Sequence, residues 1–183
     1  MKKSKGLRPL KGKRGLTPPV VAILMGSDSD LEVMNEAVHM LKEFGVACEL
    51  NVLSAHRSPE DVRDFVKKAK ARGLQVFICG AGGAAHLAGT VAAQTTLPVI
   101  GVPINSSPLG GLDSLLATVQ MPAGIPVATV AIGKSGARNA AILACQMLAL
   151  GDSTLQKKLA TFKEKLAAGV REKNEKLKKE LQS

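Results

Sequence analysis

Residues 20–45 read VVAILMGSDSDLEVMNEAVHMLKEFG, and this stretch sets a pattern that the rest of the chain repeats. It begins with an unbroken apolar run that ends at Gly26, which is typical of a strand buried on both faces of a sheet. Ser29 then has capping-box spacing to Glu32, and apolar residues recur along one helical face. Gly45 ends this predicted helix. The stretch therefore predicts a buried strand, a short loop and an amphipathic helix.

The same unit recurs along the chain. Apolar runs predict further strands at 47–53, 74–79, 98–102 and 127–132. Helical patterns follow these strands at 58–73, 84–94, 113–119 and 137–150. Strands that alternate with helices at this spacing form a parallel sheet covered on both faces. We therefore expect a doubly wound, three-layer α/β/α domain with a flavodoxin-like strand order.

Two charged tails flank the predicted domain, which spans residues 20–151. Residues 1–19 hold seven Lys or Arg and no acidic residue, and without hydrophobic periodicity they predict a flexible basic arm. Residues 152–183 predict an amphipathic basic C-terminal helix. We expect that helix to pack on a neighbouring subunit, because the domain is complete without it.

The charge and composition argue against nucleic acid or membrane as partners. The net charge is +10, but the domain holds nine basic against ten acidic residues, so it has no basic footprint for a phosphate backbone. Four Phe and no Tyr or Trp leave few stacking platforms, and RNA binding by the tails remains only an alternative. No apolar run reaches the ~20 residues that span a bilayer, and none follows the charged start as in a secretory signal.

The three cysteines, Cys48, Cys79 and Cys145, are far apart and each lies in an apolar run. This pattern predicts buried free thiols, which are usual in a reducing compartment. We therefore expect a cytoplasmic protein.

Three predicted loops bring polar side chains to one edge of the sheet. They are GSDSD at 26–30, SAHRS at 54–58 and GAGGAAH at 80–86, and each follows the carboxyl end of a strand, where open α/β sheets bind ligands. The first loop offers backbone N–H groups and hydroxyls at a helix N-terminus, which suits phosphate. Ser29 is equally well explained as a helix cap, and Asp30 as a first-turn acid or a ribose ligand.

The second and third loops add a cation and two proton carriers. Arg57 suits bidentate phosphate binding, and His56 and His86 can exchange protons near neutral pH. No His, Cys or acidic cluster has metal-ligand spacing, and the GxSxG motif of hydrolases is absent from the sequence. The residues therefore predict phosphate binding with proton transfer, without a metal or an organic cofactor.

Four motifs carry a family resemblance in order and spacing. GSDSD, SAHRSP, AGGAAHLAG and GLDSLLATVQMPAGIPVATVAIG resemble those of class I N5-carboxyaminoimidazole ribonucleotide mutases of purine (IMP) biosynthesis, over about residues 20–150. The resemblance implies an octamer with sites between subunits. It also implies a cofactor-free isomerase that moves a carboxylate from the exocyclic nitrogen to carbon four of the aminoimidazole ring. Two alternatives remain: direct carboxylation of aminoimidazole ribonucleotide by CO2, or a non-catalytic sensor of phosphoribosyl ligands.

The resemblance also assigns roles to residues. The catalytic acid/base falls on His56, and His86 is the second catalytic candidate. Substrate contacts fall on Ser27, Ser29, Asp30, Ser54, Arg57, Gly82, Ala85 and Leu87. The segment 121–124, MPAG, resembles a loop that approaches a neighbouring active site. Ala88 stands where the family usually has Pro, and animal-type aminoimidazole ribonucleotide carboxylases differ at the position of His86.

Overall fold

The structure is a computed structural model that describes residues 18–181. The predicted basic arm therefore lies almost entirely outside the described residues. Within them, no helix has the length and the apolar content needed to cross a membrane.

The core of the fold is a sheet of five parallel strands in the order β2-β1-β3-β4-β5. The strands are β1 Val21–Met25, β2 Cys48–Val52, β3 Val76–Gly82, β4 Val99–Ile104 and β5 Ala128–Thr129. This order confirms the predicted flavodoxin-like sheet. The connection after β1 leads to β2 on one side and the connection after β3 leads to β4 on the other, so a crevice opens between the loops that follow β1 and β3.

Helices cover both faces of the sheet. They are α1 Leu31–Phe44, α2 Pro59–Ala69, α3 Leu87–Ala92, α4 Leu112–Val119, α5 Gly133–Ala149 and α6 Ser153–Leu181. Successive strand residues face opposite ways, so Ile23 packs in the core beneath α1 and α5, whereas Leu24 packs in the core beneath α2 and α3. The predicted three-layer architecture is confirmed.

Strand β5 is shorter than predicted, because only Ala128 and Thr129 pair with β4. The predicted strand at 127–132 fails beyond Val130, whose N–H donates to Gly101 O of β4. The next β4 residue facing this edge is Pro103, which has no N–H to donate, so the ladder stops there.

Two predicted helix starts are also wrong, and both lie at the carboxyl edge of the sheet. The capping box closes from Ser27 rather than Ser29: Ser27 Oγ accepts from Ser29 N, and the Asp30 carboxylate accepts from Ser27 N. A 3-10 turn, Asp28–Asp30, separates β1 from α1. Helix α3 begins at Leu87 rather than at residue 84, because β3 continues to Gly82 by pairing with Ile104.

Helix α6 runs for 29 residues and is not broken at Gly169. Its first turns pack on the same chain: Leu155 is 5% exposed, and the Phe162 ring lies 5.4 Å from the Phe44 ring. Beyond Phe162 nearly every residue is exposed. Leucines recur with an 11-residue period at 155, 166 and 177, which keeps them close to one face of the α-helix.

Candidate active site

A cavity of about 340 Å³ lies at the carboxyl edge of the sheet. It is lined by the loops after four strands, including all of the predicted site residues except Ala85: Gly26, Ser27, Ser29, Asp30, Ser54, Ala55, His56, Arg57, Ala81, Gly82, Ala84, His86, Leu87 and Ser106. Ala85 is 2% exposed and packs inward. The three predicted loops do meet in one place, and a fourth loop joins them.

The first loop holds a buried carboxylate at the cavity wall. Asp30 is 5% exposed, and its Oδ2 accepts from the Ser27 backbone N–H at 3.2 Å. Burial raises the pKa of the Asp30 carboxyl above its ordinary value, although the Ser27 N–H, the Ser29 hydroxyl and the Arg57 charge partly counter the rise. This carboxylate is therefore held in place at some cost to the free energy of folding.

The raised pKa of Asp30 predicts a pH-dependent stability difference for Asp30→Asn. A raised native pKa means that the wild type loses stability as pH rises from 3.8, the pKa of this carboxyl in the unfolded chain, through the native pKa, because the unfolded chain releases its proton first. The variant does not titrate there. Denaturant unfolding from pH 4 to pH 8 should show Asp30→Asn gaining on the wild type with rising pH. A constant difference across that range would contradict the prediction.

The second loop is tied to the first through Arg57. Its backbone N–H donates to Ser54 Oγ at 3.1 Å, and its Nη2 donates to Gly26 O at 2.6 Å. Ser58 closes the same turn, because its Oγ accepts from Ser54 N at 3.2 Å. The guanidinium is thereby fixed beside the amides of the first loop, with Nη1 making no hydrogen bond to any described residue. A guanidinium held in this way at the start of a helix suits a phosphate dianion.

The two predicted histidines are in direct contact. His56 Nε2 lies 2.8 Å from His86 Nδ1, and the rings meet edge to face with centroids 4.8 Å apart. The facing nitrogens have room for one proton between them, so the tautomer of one ring determines that of the other. His86 is the N-cap residue of α3, which fixes its position in the chain. Both histidine rings are exposed on the side of the cavity. Ala88 lies in the first turn of α3 and is buried, so the helix forms without the usual Pro.

Ser106 is a cavity residue that was not predicted from the sequence. It lies two residues beyond β4, next to Gly82, which pairs with Ile104. A Cβ on Gly82 would overlap Ser106 Oγ, so only glycine allows this approach. The rule that selected the first three loops also applies to the loop after β4, and it was the available signal.

Within residues 18–181, no group of three or more His, Cys, Asp or Glu could hold a metal ion. The cysteines are free thiols, and burial raises the pKa of Cys79 and Cys145. Cys48 is half-buried rather than buried as predicted. None of the three lines the cavity, so the histidine pair and the neighbouring hydroxyls are the groups that could do chemistry there.

Comparisons with known proteins agree on one family. The sequence profile of AIR carboxylase matches residues 20–169. The N5-carboxyaminoimidazole ribonucleotide mutase of Pyrococcus horikoshii is 54% identical over 159 residues, which cover 87% of this chain and 89% of that protein. The protein of that name from Bacillus subtilis is 51% identical over 159 residues, covering 87% and 98%. The crystal structure of Treponema denticola PurE superposes with a TM-score of 0.80 at 31% identity, covering 87% of this chain and 98% of that one.

Proposed function

Because this chain belongs to the AIR carboxylase family, we propose that it is an isomerase-type enzyme of purine biosynthesis, which interconverts N5-carboxyaminoimidazole ribonucleotide and 4-carboxy-5-aminoimidazole ribonucleotide. The observation that carries the proposal is a contacting histidine pair in the same cavity as a fixed guanidinium and a helix-start loop. That combination supplies proton transfer beside a phosphate handle.

The phosphoribosyl part of the substrate binds against the first and second loops. Ser27, Ser29 and Arg57 bind the phosphate, where the dipole of a helix start, two hydroxyls and a guanidinium favour a dianion. The Asp30 carboxylate accepts a hydrogen bond from a ribose hydroxyl. Ser54 holds Arg57 in place, because its Oγ accepts hydrogen bonds from the Arg57 backbone N–H and Nε. With the phosphate anchored there, the base extends towards the histidines, where Gly82 and Leu87 line the cavity. Ala85, which is buried, supports that loop from behind.

The histidine pair carries the reaction in two balanced steps. A proton from His56 goes to the exocyclic nitrogen as its bond to the carboxylate carbon breaks, which releases CO2 and an amine. Carbon four of the ring then attacks the CO2, and the proton that leaves this carbon returns to the histidine. One proton enters and one leaves, so the net change is an isomerisation that requires no cofactor. Because His86 shares a proton with His56 at 2.8 Å, His86 sets the tautomer in which His56 meets the substrate.

The test is turnover of two substrate mixtures by the purified protein. One mixture contains the carbamate nucleotide, and the other contains aminoimidazole ribonucleotide with bicarbonate; the 4-carboxylated product is measured by chromatography. We expect rapid conversion of the carbamate at low bicarbonate. Conversion that requires high bicarbonate would favour the carboxylase alternative, and nucleotide binding without product would favour a sensor.

We propose further that the enzyme is a cytoplasmic octamer whose sites are completed by neighbouring subunits. Both catalytic histidines are exposed on one chain, which leaves the reaction open to water. An apolar stripe on and before α4 is also uncovered: Leu109, Leu112, Leu116 and Val119 are each 49% to 66% exposed. A patch of this kind favours a protein contact. The outer half of α6, residues 163–181, offers a second such surface.

Removing residues 164–183 should weaken the assembly without unfolding the domain. The truncated chain keeps Leu155, Leu159 and Phe162, the α6 residues that pack on its own core. It loses Leu166, Val170, Leu177 and Leu181, which are exposed on the isolated chain. Light scattering should then report smaller particles at micromolar concentration, with circular dichroism that loses only the helical signal of the removed residues. An unchanged particle mass would contradict a role for this half of the helix in assembly.

A further inference from the structure

The Ser106 hydroxyl differs from the other hydroxyls around the cavity in having no partner within the described part of the chain. Ser27 Oγ accepts from the Ser29 N–H, and Ser54 Oγ accepts from the Arg57 N–H. The Ser29 hydroxyl bonds to Asp30. Ser106 Oγ makes no hydrogen bond to any residue between 18 and 181, although it lines the same cavity. A hydroxyl left free in a ligand cavity is available to a ligand.

The loop that carries Ser106 is held in place. Ser114 is fully buried, and its Oγ lies 2.9 Å from Ile104 O and from Gly111 O, which fixes the backbone two residues before Ser106. Asn105 lies against Gly111 and Gly133, which have φ of 90° and 72°. A Cβ on Gly111 would lie 3.2 Å from Asn105 Cα, and one on Gly133 would lie 3.3 Å from Asn105 Oδ1. The loop is therefore a fixed part of the cavity wall.

The strand order places Ser106 at the end of the cavity away from the phosphate loops. Along the sheet edge the contributing loops follow β2, β1, β3 and β4 in that order. Arg57 and the first loop occupy the β2 and β1 positions, the histidine pair bridges the β2 and β3 loops, and Ser106 follows β4. A nucleotide whose phosphate lies at the first end therefore presents its base, with the group on it, towards the last.

We propose that Ser106 donates a hydrogen bond to the carboxylate that is transferred, and thereby selects carboxylated over uncarboxylated nucleotides. The inference rests on the proposed function. Apart from the phosphate, the carboxylate is the anionic group of either isomer, and its two attachment points are neighbouring positions on the aminoimidazole. One hydroxyl can therefore reach it before and after transfer. A hydroxyl donor to an anion makes a stronger hydrogen bond than one between neutral groups.

The experiment compares Ser106→Ala with Ser107→Ala in the full-length enzyme. Ser107 is the matched control, because it lies on the same loop but its Oγ accepts from the Leu109 N–H and does not line the cavity. Calorimetry measures the Kd of the 4-carboxylated nucleotide and of uncarboxylated aminoimidazole ribonucleotide for each protein. We expect Ser106→Ala to weaken binding of the carboxylated nucleotide by about tenfold and that of the uncarboxylated nucleotide by less than twofold. Ser107→Ala should change neither.

The possible results separate the inference from the proposed function. Equal weakening of both nucleotides in Ser106→Ala would overturn the inference, since it would indicate a change in loop shape. Unchanged binding of the carboxylated nucleotide would overturn it as well. Turnover of the carbamate by the wild type is measured in parallel, and its absence would remove the proposed function itself. Turnover by the wild type with unaltered binding by Ser106→Ala would remove the inference alone.

Discussion

Replacing His56 with Asn should lower kcat by about 10²- to 10⁴-fold while leaving nucleotide binding within a few-fold of the wild type. Asn has a similar size and remains polar, but it cannot hold the proton that the exocyclic nitrogen must receive. His56 is exposed in a turn whose ends are tied by Ser54 and Ser58, so the change removes no core contact. Stopped-time product assays give kcat, and calorimetry gives the Kd of the product nucleotide.

His39→Asn is the matched control for that substitution. His39 is exposed on α1 and does not line the cavity, so its replacement should leave kcat, KM and thermal stability unchanged. Retention of more than half of the wild-type kcat by His56→Asn would exclude His56 as the acid/base. A large loss in both variants would point to a general effect on the fold.

Replacing Arg57 with Ala should lower kcat/KM by about 100-fold, mainly through a higher KM, because hydrogen bonds between charged groups are worth up to about 3 kcal/mol. The guanidinium contacts Gly26 O at 2.6 Å and so links the two loops that we propose to receive the phosphate. Arg57→Lys should restore only part of the loss, since an ammonium cannot make the two parallel contacts of a guanidinium. Initial rates over a range of substrate concentrations separate KM from kcat.

Arg63→Ala provides the control for charge alone. Arg63 is exposed on α2 and pairs with Glu60 at 3.8 Å, outside the cavity. Its removal changes the net charge by the same amount without touching the site. If both arginine variants raised KM equally, the effect of Arg57 would be long-range attraction of an anionic substrate rather than phosphate binding.

Most of the fold could be predicted because buried parallel strands and amphipathic helices leave periodic patterns. The unbroken apolar run before Gly26 and the helical stripe after it require only local sequence. The end of β5 could not be found in this way, since it depends on Pro103, which lies on a different strand. The position of the first helix cap was missed because Ser27 and Ser29 both have suitable chemistry, and only the 3-10 turn selects Ser27.

Part of the candidate site could also be predicted from the sequence, and part could not. The meeting of the first three loops follows from topology and was predicted, whereas contact between His56 and His86 depends on side-chain geometry across 30 positions of sequence. Ala85 was assigned to the cavity with its neighbours, but α3 starts so that His86 faces outward and Ala85 inward. For Ser106, topology marks the loop after β4, but nothing in the sequence of that loop distinguishes Ser106 from Ser107.

Hydrogen exchange of the backbone amides in the outer half of α6 should report whether the chains are associated. Most of the stability of a helix in a protein comes from packing of its apolar face. The part of α6 beyond Phe162 is almost fully exposed, so it should open and exchange its amide hydrogens rapidly unless another surface covers it. The first turns, anchored by Leu155 and Phe162, should exchange slowly under all conditions. Deuterium uptake along this one helix, followed on dilution, should therefore separate folding of the chain from its association, without any substitution in the protein.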